Sequence, residues 1–340
     1  METQTNKITA KQWMIIIIAG LAGQLCWNIE NQWFTTFVYA KIAPDPAIIS
    51  WMVAASAITS AIATIFFGTI GDRLGKRKPL MAAGYIIWGV TVIIFGLTEF
   101  ISHSRLALAA AAVVAADCLM TFFGAMAHDA GYNPWTTDIT NEHNRGKLGA
   151  VIAVMPVVAT IIGSLVFGNV IEAIDYMAFF ILIGAVMILL GLFCLFMVKD
   201  APDVKAYRDE KGFWHQMFSF FRFTMVRNNK VLGWVLATFS VYFIGFNMYF
   251  SHLTNYFIYT QGNAPGMAGI IVGVGLLIAA PTTMIAGKFI DRDRHTQVLV
   301  ASVAATAVGL PLVAMKGMAV NMVGMVFVGI GYMCIFQTLM

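Results

Sequence analysis

The sequence predicts an all-α, polytopic membrane protein of ten spans, and three observations carry that prediction. Hydrophobic residues make up 59% of the chain and charged residues 11%, against about 25% charged in a soluble domain. The apolar residues form long unbroken runs instead of alternating with polar ones, which is the pattern of spanning helices and not of barrel strands. Lys and Arg gather on the segments that would share one side of the membrane. Mean hydropathy is +0.79, so lipid is the solvent. Inside lipid each backbone N–H and C=O needs a partner in its own helix.

The spans follow in order. The first apolar run, residues 13–25, continues through polar positions to 39. It meets no small-residue cleavage site, so it is expected to act as its own membrane signal. Runs at 48–70 and 80–97 follow, with Arg73, Lys76, Arg77 and Lys78 between them. The fourth, 106–127, carries Asp117 and leads into His128 and Asp129. The fifth and sixth, 148–171 and 176–198, nearly touch. The long polar connection 199–230 comes next, and its stretch 213–226 holds Phe213, Trp214, Met217, Phe218, Phe220 and Phe221. That stretch reads either as an amphipathic helix on the inner membrane face or as a loop packed on the bundle. The last four runs are 231–249 (extending to 258), 267–285, 298–314 and 318–340. Each is near the roughly 20 residues that cross a 30 Å core. The expected organisation is a six-helix N-terminal half (1–198), a cytoplasmic central loop (199–230) and a four-helix C-terminal half (231–340).

With the N-terminus in the cytoplasm, only Lys41, Arg105 and Lys316 of the 21 Lys and Arg fall outside. This asymmetry accounts for the pI near 8.8, so nucleic acid is not an expected partner. The expected location is a cell membrane, plasma or inner. Cys26, Cys118, Cys194 and Cys334 sit singly in apolar runs and read as small hydrophobes, with no disulfide framework and no metal site.

The loop Gly68-Thr-Ile-Gly-Asp72-Arg73-Leu-Gly75-Lys76-Arg77-Lys78 follows the second run, and Gly287-Lys-Phe-Ile-Asp291-Arg292-Asp-Arg294 follows the eighth. Gly, Asp and Arg recur 219 positions apart. The same offset carries Asn28 onto Asn247 and Thr35 onto Thr254, so the first and seventh helices read as duplicates running in one direction, in parallel-related halves. The first of these loops resembles the signature loop of the major facilitator superfamily. The stretch Asn133-Pro134-Trp135-Thr-Thr-Asp138-Ile-Thr-Asn-Glu-His-Asn-Arg145-Gly146 is similar to the loop before helix five in the glycoside–pentoside–hexuronide:cation symporters, relatives of melibiose permease. Those symporters place paired acids in helix two for the coupling cation, and this sequence has none between Ile48 and Ile70. The superfamily resemblance implies secondary transport, twelve helices and a monomer, so ten spans read either as a truncated form, the favoured reading, or as an unusual ten-helix form. It also implies a gating latch at the basic loops, from Gly68, Asp72, Arg73, Gly75, Asp291 and Arg292. In the symporter comparison, His128 or Asp129 falls near an acidic helix-four residue involved in sugar binding.

At about 100° per residue, Gln24, Asn28, Asn31, Gln32 and Thr35 share one polar stripe. Asn247, Ser251, Thr254 and Asn255 form a second stripe. Polar stripes cannot face lipid. Either they bond other helices, or they line opposite walls of a cavity for a neutral, hydroxyl-rich solute with Trp27, Trp33, Phe246 and Tyr249 as stacking surfaces. Glu30 falls off the first stripe. Glu30, Asp117, His128 and Asp129 are the candidates for coupling, because an intramembrane acid binds a cation, titrates or is paired. The expected function is therefore transport of a sugar or glycoside driven by a cation gradient, with the proton favoured. The alternative is an efflux carrier for amphipathic compounds. The expected partners are a small solute, a coupling cation and the bilayer. No cofactor and no enzymatic activity are expected, since no metal-ligand spacing, nucleophile elbow or phosphate loop is present.

Overall fold

The structure, a computed structural model, describes residues 8–101, 103–141, 144–202, 204–218, 229–290, 292 and 294–339. α1 runs Ala10–Ile42. A capping box opens it: Gln12 N donates to Thr9 Oγ1 at 3.2 Å, and Thr9 N donates to Gln12 Oε1 at 2.8 Å. The helix widens into π turns at Ile29–Phe34 and Val38–Ile42. α2, Pro46–Leu74, is capped by Asp45 and ends on Gly75 at φ 62°. This is the left-handed stop that glycine adopts without penalty. α3 is Lys78–Leu97. α4, Leu106–Asp138, has a π segment at Ala125–Tyr132. α5, Arg145–Met197, holds two of the expected spans, joined at Asp175 (φ 64°, ψ 167°). The central connection contains α6, Phe213–Phe218. α7 is Lys230–Asn255 with a closing π turn at Tyr256–Thr260. The eighth expected span is divided into α8, Pro265–Ala279, and α9, Thr282–Ile290. α10 (His295–Ala314) and α11 (Met318–Leu339) complete the described chain.

Eight helices among the described residues are long and apolar enough to cross a membrane. Counting α5 as two spans makes nine, and the shorter pair α8–α9, taken as one more, overlies the remaining run of the ten. Of the aromatic stretch 213–226, only α6 is structured among the described residues, and positions 219–226 lie outside them.

The residues form two compact units. The first takes in Met1–Glu30, Phe34–Pro156 and Ile174–Phe223; the second takes in Asn31–Trp33, Val157–Ala173 and Thr224–Met340. The first unit is held by a buried aromatic knot. Phe34 stacks on Phe95 at 3.8 Å, and Phe34 and Phe37 each meet Phe180 edge-on at 5.2 Å. Such pairs add about 0.5–1.5 kcal/mol each beyond their burial. Lys41 Nζ bonds Asp175 Oδ2 at 2.7 Å, tying the end of α1 to the break in α5. The second unit has its own core of Leu253, Phe257, Ile271, Leu276, Met325 and Val328, with Val157 and Ile161 of α5 packed against it. Asn321 Nδ2 donates to the Val313 carbonyl at 2.7 Å and closes the α10–α11 hairpin. The duplication shows in the backbone too. Pro46 and Pro265, 219 positions apart, both open helices.

Candidate functional site

In the first unit, the π turn of α1 places Glu30 against α4. Glu30 is 9% exposed and Asp117 1%. Thr121, one turn along α4 from Asp117, donates its hydroxyl to Glu30 Oε1 at 2.8 Å. Glu30 Oε2, both oxygens of Asp117 and Oδ1 of Asn28 are buried without a hydrogen-bond partner. The Ser56 hydroxyl lies near Asp117, but its geometry directs it to the Val53 carbonyl at 3.3 Å. The side chains of Asp117 and Asp129 lie close enough to Glu30 to interact with it. Asp129 is half-buried beside Thr64 of α2. The result is a buried set of acceptors short of donors.

His128 belongs to a separate, satisfied network. Gln24 Nε2 lies 3.1 Å from its Nε2, and Tyr85 Oη lies 3.1 Å from its Nδ1. Tyr85 also donates to the Ala19 carbonyl at 3.3 Å, and the imidazole stacks on Tyr132 at 4.8 Å. One neutral tautomer satisfies the whole chain: Gln24 donates to Nε2, Nδ1–H donates to Tyr85, and Tyr85 donates to Ala19. Trp27 packs on Trp88 at 4.9 Å.

Gln24, Asn28, Gln32 and Thr35 are buried or half-buried, whereas Asn31 is exposed. The wider turn at Ile29–Phe34 shifts the positions within and after it from a regular 3.6-residue wheel. Gln32, in the second unit, accepts from the Ser164 hydroxyl of α5 at 2.9 Å. On α7, Ser251, Thr254 and Asn255 are buried, while Asn247 donates to the Phe243 carbonyl at 2.8 Å. On the same helix the phenol oxygens of Tyr242 and Tyr249 are buried with no partner. Phe246 stacks on Tyr332 at 4.7 Å and on Phe250 at 4.6 Å. Tyr242 escaped sequence reading, and Tyr249 entered it only as a stacking surface. Their spacing to Asn247 and Ser251 was the available signal.

The signature loop is a tight charged cluster. Arg77 is bonded by Asp72 at 2.7 Å and by Asp138 at 3.1 Å. Burial works against its charge, but the two carboxylates outweigh it and lift the guanidinium above its usual value. Asp200, from the central connection, accepts from the backbone N–H of Arg77 (2.7 Å) and Lys78 (2.8 Å) at the start of α3. Asp72 also accepts Tyr207 N on its backbone carbonyl at 2.8 Å. Arg73 lies 5.6 Å over the Phe213 ring. A Cβ at Gly75 would stand 2.7 Å from Ala206 N, so the connection crosses directly over the loop; a Cβ at Gly68 would meet nothing within 4 Å. Arg292 is exposed, and Asp291 lies outside the described residues. Among the described residues no three His, Cys, Asp or Glu side chains converge as a metal site.

The sequence profile of the Major Facilitator Superfamily matches residues 11–340. No curated protein sequence matches the chain. The fold is similar to several solved structures. One is a D-xylose–proton symporter, with 16% identity and a TM-score of 0.63 over 95% of this chain and 80% of that one. A second is the nucleoside transporter NupG, with 15% identity and a TM-score of 0.67 over 97% and 80%. A third is a bacterial homolog of the human lysosomal transporter Spinster, with 17% identity and a TM-score of 0.65 over 98% and 75%. The chain belongs to the Major Facilitator Superfamily and is a multi-pass membrane transporter rather than an enzyme.

Proposed function

We propose that this transporter is a secondary active symporter, moving a small polar solute, a sugar or glycoside, by alternating access driven by a proton gradient. The observation that supports this most is the donor-poor acid pair Glu30–Asp117. Two ionised carboxylates in one buried site repel each other, and each costs several kcal/mol unpaired. A proton taken up by either one supplies the missing donor and removes a charge. Thr121 links α1 to α4 through Glu30, so loading and releasing that proton changes a bond between two helices. The solute is read from neutral polar groups: the unpartnered amide oxygen of Asn28 in one unit, and the unpartnered phenols of Tyr242 and Tyr249 on α7 in the other. Two proteins of similar fold are described as D-xylose–proton and nucleoside transporters. The working orientation has the N-terminus in the cytoplasm of a plasma or inner membrane. Residues 1–198 and 231–340 act as the two halves, 199–230 as the loop between them, and a monomer as the unit. Asp72, Arg73 and Gly75 serve the inner latch.

A second reading, efflux of amphipathic compounds, draws on the stacked cluster Phe246, Phe250 and Tyr332. Uptake of labelled sugars into proteoliposomes under an imposed proton gradient decides between them. Symport predicts gradient-driven uptake that Glu30→Gln or Asp117→Asn abolishes while solute exchange persists. Flux indifferent to the gradient, or none for any sugar, would refute it, and transport of hydrophobic cations would favour efflux.

A further inference from the structure

α5 and α8 meet within the second unit along a seam made of backbone. A Cβ at Gly168 would lie 2.7 Å from the Trp33 ring and 2.9 Å from Gly266 Cα, and one at Gly269 would strike the Ser164 carbonyl. The Trp33 indole N–H closes the flank by donating to the Gly163 carbonyl at 3.3 Å. Such a seam has few interlocking side chains, and close helix approach of this kind rests on small residues. At its end the Glu172 carboxylate accepts the backbone N–H of Gly266, in the first turn of α8.

The repeat gives that contact its meaning. α2 opens at Pro46 and is capped locally: Asp45 Oδ1 accepts Ala47 N at 2.8 Å. α8 opens at Pro265, 219 positions on, but the position equivalent to Asp45 is Ala264, which offers no cap. The free N–H groups and positive dipole end of α8 are served by Glu172 from another helix. A local cap holds in every conformation. A cap borrowed from α5 holds only while the first span of α5 and the start of α8 are together.

We infer that Glu172 is a latch for the mouth between the first span of α5, just before its break at Asp175, and the start of α8, on the side away from the basic loops, capping α8 when that mouth is closed and releasing it when the two part. The inference rests on the alternating-access reading above. The test is a distance measurement on the full chain in lipid nanodiscs, with Cys118 replaced by Ser and spin labels on Ala173→Cys, next to Glu172, and Thr260→Cys, in the turn that precedes α8, both exposed. Glu172→Gln is expected to lower the ratio of short to long distances about five-fold, the size of a lost charged cap. Gly269→Ala, which forces a methyl against the Ser164 carbonyl, should shift it the same way. Adding Ala264→Asp to Glu172→Gln returns a local cap, so thermal stability should recover while the distance ratio stays shifted. An unchanged distribution in both single variants overturns the latch, and so does Ala264→Asp restoring the ratio along with stability. If distances shift but no solute moves under any gradient, the transport reading fails and the latch stands. If wild-type uptake is proton-driven and distances do not shift, the latch alone fails.

Discussion

Replacing Arg77 by Met should destabilise the protein by about 2–3 kcal/mol. The side chain is 10% exposed and bonds two carboxylates, Asp72 at 2.7 Å and Asp138 at 3.1 Å. Removing one partner from a buried ion pair costs about 3–5 kcal/mol, because the charge left behind is uncompensated. Here the carboxylates keep some water, with side chains 32% and 19% exposed, so solvent screening brings the figure down. Met fills much of the same volume, which keeps the loss electrostatic instead of a cavity effect. The assay is thermal unfolding in detergent, followed by a thiol-reactive dye on the buried Cys26, Cys194 and Cys334. The decisive comparison is the same substitution with Asp72→Asn and Asp138→Asn already in place. No stranded charge remains there, and Arg77→Met should cost less than about 1 kcal/mol. An equal cost in both backgrounds would refute the reasoning, since the loss would then come from packing.

Three further outcomes are expected. Asp200→Ala strips the acceptor from the N–H groups of Arg77 and Lys78 and should cost about 1–2 kcal/mol in the same unfolding assay, with Asp200→Asn recovering most of it. Tyr85→Phe leaves the ring N–H of His128 without its acceptor and should cost about 1–3 kcal/mol; a stability change within error would show that the imidazole finds another partner. The Lys211 backbone N–H and then His215 hold the Asp209 carboxyl below its ordinary value, so the turn before α6 gains stability above the usual carboxylate pKa and loses it as pH falls through the lowered one. Limited proteolysis within 204–218 should therefore speed up in acid, and Asp209→Asn should flatten that dependence.

The class of the protein was legible because lipid imposes it. A chain with 59% hydrophobic residues in unbroken runs can satisfy its backbone only in spanning helices. The repeat was legible for a related reason, since duplicated helices keep their caps, loops and polar positions at one offset. The site was legible only in part. A regular wheel groups Asn31 with Gln24 and Asn28 and sets Glu30 aside, yet the π turn at Ile29–Phe34 leaves Asn31 exposed and brings Glu30 onto Thr121. Nothing in the local sequence marks such a turn, which survives because neighbouring helices hold it.

Asp200 and Glu172 were invisible for another reason. They cap helices 123 and 94 positions away, whereas sequence rules for caps look only a few residues along. By itself, then, the sequence determined that the chain crosses the membrane as helices, roughly where, and that it is built twice. Those properties follow from transfer free energy and local periodicity. Which buried acids share a site, which histidine is fully satisfied and which helix ends borrow their caps were decided by the tertiary structure. They depend on the rotation of each helix against its neighbours, and packing sets that rotation.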